Sequence, residues 1–507
     1  MADLEAPLRL RRLARARELP YLHRQPWPLF DAARRHEAVR PLGLGLHSRG
    51  LAAVDHEQEG ILAQLALSMF HRAYTLIRSP GEPAAWMGRY IPAFELRTND
   101  DTGDVGATLT SDESITYVGN MFRERWEYLA RGSLHDVARW RDLAELELLA
   151  HLGADIVVTL DPQILAIRND PLLQGLNVMT PEEAFLLAGV WSRVVHNAFC
   201  QGPVTYNNGL YYWALTRALT PASWPGYCAF VRMRWRGDDG PVLFELASSI
   251  LDHLTAINRA LDRLVVLWQC DTNNDTISEL FDEFERVVLG TWAVYDNVAL
   301  LAGTYFGISL TPRTAWNVRD KGWRKAVEGT GEARARSLAQ LIRADQPRFE
   351  ASEQIRHQLA HRARLSPVRQ ITGSGGRQEE EPRIWLSGEA FVAFENALAR
   401  MGVSPDTWGV AARLPAGKLK VNEVSEGPSA WIEVDREAQA LVDPVVLAIR
   451  LASHAAGFAN ASFRILDPLS DPRMPDRSLC AGAPSEEWAT PQAASLEILS
   501  SPLSGLI

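Results

Sequence analysis

Three side chains close together late in the sequence define its sharpest chemistry. Arg356, His357 and His361 lie in IRHQLAH, inside the stretch FEASEQIRHQLAHRAR of residues 349–364. Histidine is the side chain whose unperturbed pKa lies near neutrality, so it can take or give a proton at physiological pH. Arginine keeps its charge and offers a planar fork of donors that suits a phosphate. Breaking an RNA strand without a metal needs both. One group must take the 2′-hydroxyl proton, and a fixed cation must stabilise the charge that builds on the phosphorane oxygens. On one helix Arg356 and His361 point roughly 140° apart. That separation predicts a site assembled between two helices, with His357 one turn before His361 on the same side.

The element that must position them reads as a short helix. Ile355, Leu359 and Leu365 supply an inward face, while Pro347 and Pro367 mark its two ends. The surrounding segment 343–369 is a local basic patch: Arg343, Arg348, Arg356, Arg362, Arg364 and Arg369 outnumber Asp345, Glu350 and Glu353. Arg348, Arg362 and Arg364 are the candidates for contact with an RNA backbone. Two plainer readings stand beside this one. A basic helix with a histidine pair is also what a solvated face looks like. HQLAH also has the spacing of the HExxH zinc helix, but Gln358 stands where the glutamate base is required. An amide cannot take a proton from zinc-bound water, which excludes that protease chemistry.

An arginine, a polar residue and a histidine a few positions on resemble the signature of the HEPN superfamily. Here Arg356 matches the arginine, His357 the polar residue and His361 the terminal histidine. The resemblance implies a metal-independent ribonuclease without a cofactor, whose motif helix lies at a homodimer seam so that two copies complete one site. It further implies RNA as substrate and a toxin, stress or antiphage role, with an antitoxin or regulatory protein as a partner. A HEPN-like bundle that binds a nucleotide or a protein without turnover is the alternative.

The chain has 507 residues, enough for two or three domains, with 47% hydrophobic and 22% charged residues. A formal net charge of −10 argues against the whole molecule as a nonspecific polyanion binder, so any RNA site must be local. Cys200, Cys228, Cys270 and Cys480 show no CxxC spacing, which predicts neither a zinc knuckle nor a disulfide framework. The basic, amphipathic start lacks the apolar run of a secretion signal, and no segment reads as a membrane span. The expected location is the cytoplasm.

Taken in order, the pattern predicts a helix over 59–78, a polar loop over 97–112, helices over 115–129 and 135–152, and a buried strand at 156–160. Thr180, Pro181, Glu182 and Glu183 open a further helix. The arginine alternation Arg232, Arg234, Arg236 reads as one face of an edge strand. Tyr206, Tyr211, Tyr212 and Trp213 can stack bases or, more commonly, pack a core. Two long helices are expected over 242–269 and 276–307, and another over 331–343. Beyond them come a flexible linker at TGSGGRQEEEP, a helix over 389–401, a hairpin of LKVNEV against AWIEV, and a helix over 437–463.

A second resemblance lies in RDLAELELLAHLGADIVVTLDPQIL, which is similar to the C-terminal half of a PIN nuclease domain. Asp142 matches the helix aspartate and Asp161 the aspartate after the strand, with Asp155 a further acid. Asp55 is the candidate for the first strand. The resemblance implies Mg²⁺ or Mn²⁺ held by these carboxylates, in which case a metal-dependent nuclease is a further reading. Equally, Asp155 and Asp161 can be strand-end caps. The expected fold is mainly α, with a C-terminal HEPN-like antiparallel helical bundle preceded by a PIN-like α/β domain. The expected parts are 1–195 PIN-like, 196–240 an aromatic-rich connector, 241–371 the bundle, 372–382 the linker, 383–466 a helix-hairpin-helix part packing on the bundle, and 467–507 an irregular tail.

Overall fold

The computed structural model describes residues 42–51, 71–77, 93–98, 105–109, 115–118, 145–168, 177–308, 321–361, 367–372 and 379–471, short gaps inside these spans apart, together with Leu62. The described chain is mainly helical with smaller sheets. It divides into two compact units, one running to Asn208 and the other starting at Gly209.

The first unit is organised on a sheet of seven strands: β1 (Leu42–Leu46), β2 (His71–Ile77), β3 (Ala93–Thr98), β4 (Val105–Leu109), β5 (Ile115–Val118), β6 (Ile156–Val158) and β7 (Val178–Met179). Their order is β5-β4-β3-β2-β1-β6-β7. Strands β3, β2, β1, β6 and β7 run parallel, and β4 and β5 add an antiparallel margin. Strand β1, LGLGL, is buried throughout. Its glycines are there for close approach: a Cβ on Gly43 would stand 2.2 Å from the Gly153 carbonyl oxygen, and one on Gly45 2.9 Å from Leu149 Cβ. The chain leaves β1 toward β2 on one side and returns to β6 on the other, so the carboxyl ends of β1 and β6 flank the point where the strand order reverses.

Helix α1 (Pro162–Ile167) follows β6, and α2 (Pro181–Val195) follows β7. The capping signature at Thr180 and Glu183 closes reciprocally. Glu183 N donates to Thr180 Oγ1 at 3.2 Å and Thr180 N to Glu183 Oε2 at 2.8 Å. The Arg168 guanidinium pairs with the same carboxylate at 2.9 Å. A short hairpin of β8 (Ala198–Gln201) and β9 (Val204–Asn207) ends this unit.

Several expectations are corrected here. The helical spacing of 59–78 ends in a strand, because HRAYTLI finds a parallel partner in β1, and a short apolar run fits both periods. Residues 115–118 open as β5, not as a helix. The polar segment 97–112 contains the end of β3 and all of β4, which pair antiparallel. Arg232 and Arg234 lie at the end of a helix, not on an edge strand.

The second unit begins in helix α3 (Asn208–Leu219) and α4 (Ser223–Met233), then the long pair α5 (Gly240–Trp268) and α6 (Asn274–Tyr305). Asn273 caps α6 by accepting from Thr276 N at 2.9 Å, as the polar turn predicts. Helix α6 has the length and hydropathy of a membrane span, but most of that window is buried inside the unit, as in a core helix. Helices α7 (Lys321–Gly329) and α8 (Ala333–His361) follow. The expected short helix starting after Pro347 and the separate helix over 331–343 are one element of 29 residues, with Pro347 inside it. The proline removes the hydrogen bond to the Arg343 carbonyl, a disruption of about 3 kcal/mol. Burial on both sides of it offsets that: Ala335, Leu338, Ala339 and Ile342 before, Phe349, Ala351 and Ile355 after, all fully buried.

The remainder holds a four-stranded antiparallel sheet that the sequence did not announce, ordered β10 (Pro367–Thr372), β11 (Glu379–Ser387), β15 (Gln439–Val442), β12 (Val410–Leu414). Thr372 pairs with Glu379, so both ends of the expected 372–382 linker are strand. Helix α9 (Gly388–Met401) and the hairpin of β13 (Gly417–Glu423) with β14 (Ala430–Arg436) match expectation. The last helix, α10 (Pro444–Leu466), starts later than expected because 439–442 is strand β15.

Asp443 fixes that start. Its Oδ1 accepts from Val445 N at 2.9 Å and Val446 N at 3.1 Å, while Oδ2 accepts from the buried Arg383 guanidinium at 3.0 Å. Asp443→Ala removes a cap and one of the two carboxylates, Asp443 and Glu381, that pair with the buried Arg383 guanidinium. We expect it to lower stability by about 3–5 kcal/mol in urea denaturation, and a loss below about 1 kcal/mol would reject this account of the junction.

Candidate functional site

The site forms where the last turns of α8 face α6. Trp292 and Asp296 are one turn apart on α6 and therefore share a face. Trp292 is buried, and its indole Nε1 donates to the Ser352 carbonyl of α8 at 3.4 Å. One turn beyond Ser352, the Arg356 guanidinium carbon lies over the Trp292 ring, 4.8 Å from its centroid. Arg356 is half-buried. Among the described residues no carboxylate or carbonyl oxygen accepts a hydrogen bond from its guanidinium, so packing holds the side chain and its donors stay open to an anion. Asp296 is also half-buried and makes no hydrogen bond among the described residues. Burial pushes its carboxyl up to about 6, and the charge of Arg356 pulls the other way without cancelling that.

The other predicted residues of this helix are placed as follows. His357 is 56% exposed, with Nε2 3.3 Å from Glu353 Oε1 one turn earlier. His361 is the last residue of α8, five residues and about 7.5 Å of rise beyond Arg356. Arg362 and Arg364 lie outside the described residues. Arg348 is half-exposed and ion-paired with Asp345.

Asp345 leads inward to a buried chain of polar groups. His454 on α10 has Nε2 3.4 Å from Asp345 Oδ2 and Nδ1 2.5 Å from the Tyr295 hydroxyl. Burial holds His454 below its ordinary range and outweighs the carboxylate opposite, so it is neutral near pH 7. Burial alone would raise Asp345, but hydrogen bonds and charge from His454 and Arg348 hold it low. Tyr295 is pushed well above its usual value, first by burial and then by the Asp345 charge. Phe349 and Phe458 pack edge-on against Tyr295 around this chain. It fixes α6, α8 and α10 to one another behind Arg356.

Of the carboxylates predicted in the first unit, Asp155 and Asp161 are among the described residues, and they lie at opposite ends of β6. Asp161 caps α1, accepting from Gln163 N at 2.9 Å and Ile164 N at 3.4 Å. Asp155 is at the other end of β6, where its Oδ2 accepts from Gly43 N at 2.7 Å. Asp142 and Asp55 lie outside the described residues. Among the described residues no group of three or more His, Cys, Asp or Glu side chains is placed to hold a metal ion.

Immediately after β1 stands His47, which nothing in the local sequence pattern marks out. Its Nδ1 is 2.9 Å from Thr159 Oγ1 and its Nε2 is 3.9 Å from Glu145, all three fully buried. The Thr159 hydroxyl also accepts from Asp161 N at 3.1 Å. Gly50 covers the pair so closely that a Cβ there would stand 2.0 Å from Thr159 Oγ1. This cluster has the residue types of a hydroxyl–imidazole–carboxylate relay, but it is closed off from solvent, with His47, Thr159 and Glu145 fully buried. It works as a lock between β1 and β6.

Trp292, Asp296 and His454 were also missed. The sequence signal for the first two is their i,i+4 spacing in TWAVYDN, a polar residue interrupting an apolar face. No family model, curated protein or solved structure matches the chain.

The raised Asp296 carboxyl has a stability consequence. Its folded value of about 6 lies above the ordinary 3.8, so the native state holds the proton more tightly than the unfolded chain. The contribution of this group to stability falls as pH rises through that interval. Asp296→Asn is therefore expected to stabilise the protein at pH 7.5 by on the order of 1–3 kcal/mol, allowing for partial solvent screening, with little gain at pH 4. Chemical denaturation at the two pH values checks this, and an equal effect at both would refute it.

Proposed function

We propose that this chain is a metal-independent RNA endonuclease of the HEPN type, acting as a homodimer in which two copies of the end of α8 face one scissile linkage. One observation carries the reading. The Arg356 guanidinium is fixed over Trp292 by packing and has no acceptor among the described residues, so its donors are available to a phosphate. In this scheme His361 of one copy removes the 2′-hydroxyl proton. The resulting oxygen attacks phosphorus, Arg356 stabilises the charge on the equatorial oxygens, and the same histidine of the second copy protonates the departing 5′-oxygen. The products are a 2′,3′-cyclic phosphate and a 5′-hydroxyl, with no cofactor consumed.

In this scheme His357, exposed and four residues before His361 on the same helix, assists it. In this scheme Arg348, Arg362 and Arg364 are the candidates for contact with the phosphates of the RNA backbone. A role in toxin, stress or antiphage defence under a regulatory partner follows from the resemblance of the motif. The metal-dependent alternative draws no support from the geometry, since Asp155 and Asp161 serve opposite ends of β6.

Arg356→Ala and His361→Ala are each expected to lower RNA cleavage in EDTA by about a hundredfold or more, with helical content unchanged by circular dichroism. Undiminished cleavage by both variants overturns the assignment. Cleavage that needs Mn²⁺ and disappears with Asp161→Asn would move the chemistry to the sheet unit.

A further inference from the structure

The structure contains a second group beside Arg356 that the nuclease scheme leaves unused. Asp296 is on the same face of α6 as Trp292, half-buried, and free of hydrogen bonds among the described residues. Arg356 is the charged side chain that acts on it among those residues. Arg356 lies over Trp292, and Asp296 stands one turn along the same face of α6, yet no ion pair joins the two among the described residues, whereas several other guanidinium–carboxylate neighbours in this unit are paired. Arg383 with Asp443, Arg348 with Asp345, and Arg286 with Glu283 are all bonded directly.

We propose that Asp296 gates the Arg356 phosphate site: with the carboxyl protonated Arg356 acts as a full cation and takes a phosphate of RNA, and with it ionised the two charges offset and the phosphate is held weakly. This deepens the nuclease reading and rests on it for the identity of the ligand as RNA. The physical basis is local. The carboxylate and an incoming phosphate are like charges competing for one cation, and the half-buried setting screens neither well. The carboxyl's position near 6 places the transition inside an accessible pH range. Coupling between a proton and a ligand at one site is reciprocal, so phosphate binding also draws a proton onto Asp296.

The histidines of the same helix, His357 and His361, also carry imidazoles and are removed from the test. In a His357→Ala, His361→Ala background, the probe is a fluorescein-labelled deoxythymidine decamer, which lacks the 2′-hydroxyl and is not cut. Binding is read by anisotropy from pH 5 to pH 8 at constant ionic strength. Affinity is expected to rise about five- to tenfold as pH falls through 6. Adding Asp296→Asn should make binding tight and flat across the range, and adding Arg356→Ala should make it weak and flat. Asp296→Glu, which keeps a carboxyl, should keep the step and guards against a folding defect in the Asn variant. Calorimetry in two buffers of different ionisation enthalpy should show proton uptake on binding near pH 6.5, lost in Asp296→Asn.

A flat profile with Asp296 intact, or the same step in Asp296→Asn, overturns the gate. That failure is separable from failure of the nuclease reading, which is judged by cleavage in the Arg356 and His361 single variants.

Discussion

Helix α6 is tied to α8 and α10 by a polar chain in an apolar setting, the Tyr295 hydroxyl against His454, with Asp345 on the far side of the imidazole. Each member comes from a different helix, and each is buried where an unmade hydrogen bond costs more than a made one contributes. The contact can be satisfied in few relative placements of α6, α8 and α10. Aromatic edges from Phe349 and Phe458 close around it. Because Asp345 and Arg356 share α8, the register that satisfies the buried chain also sets where Arg356 meets Trp292.

The two units use polar residues in opposite ways. At the carboxyl ends of β1 and β6, Thr159 bonds both His47 and the Asp161 amide, and Gly50 packs against them. Near the end of α8, Arg356 and Asp296 make no hydrogen bond among the described residues although both are half-buried. Residue type alone cannot separate these cases, since histidine, threonine and aspartate at a strand end have the composition of a reactive cluster. What separates them is access: His47, Thr159 and Glu145 are fully buried, whereas Arg356 and Asp296 are half-buried.

That distinction also explains what could be read from the sequence. The α5–α6 pair, the Thr180–Glu183 cap, strand β6 and the β13–β14 hairpin rest on local pattern, and local pattern was enough. The Arg356 and His361 motif was visible because its residue types and spacing are local too. Strands β2, β11 and β15 were read as helix, linker and helix start, because each is defined by a partner distant in sequence. Pro347 misled for a similar reason: propensity ends a helix there, and burial on both sides overrides it. Asp296 was passed over because its i,i+4 spacing with Trp292 gains meaning only from the charge of Arg356, 60 residues on in α8.

The doubled use of Asp443 reaches beyond its own junction. One carboxylate starts α10 and also anchors Arg383 in β11, and β11 is hydrogen-bonded to β15 immediately before that helix. The shared carboxylate therefore couples the opening of β11 and β15 to that of the first turn of the helix carrying His454 as an expected cooperative segment. A disturbance at the sheet is thereby transmitted to the aromatic interior of the bundle around Tyr295.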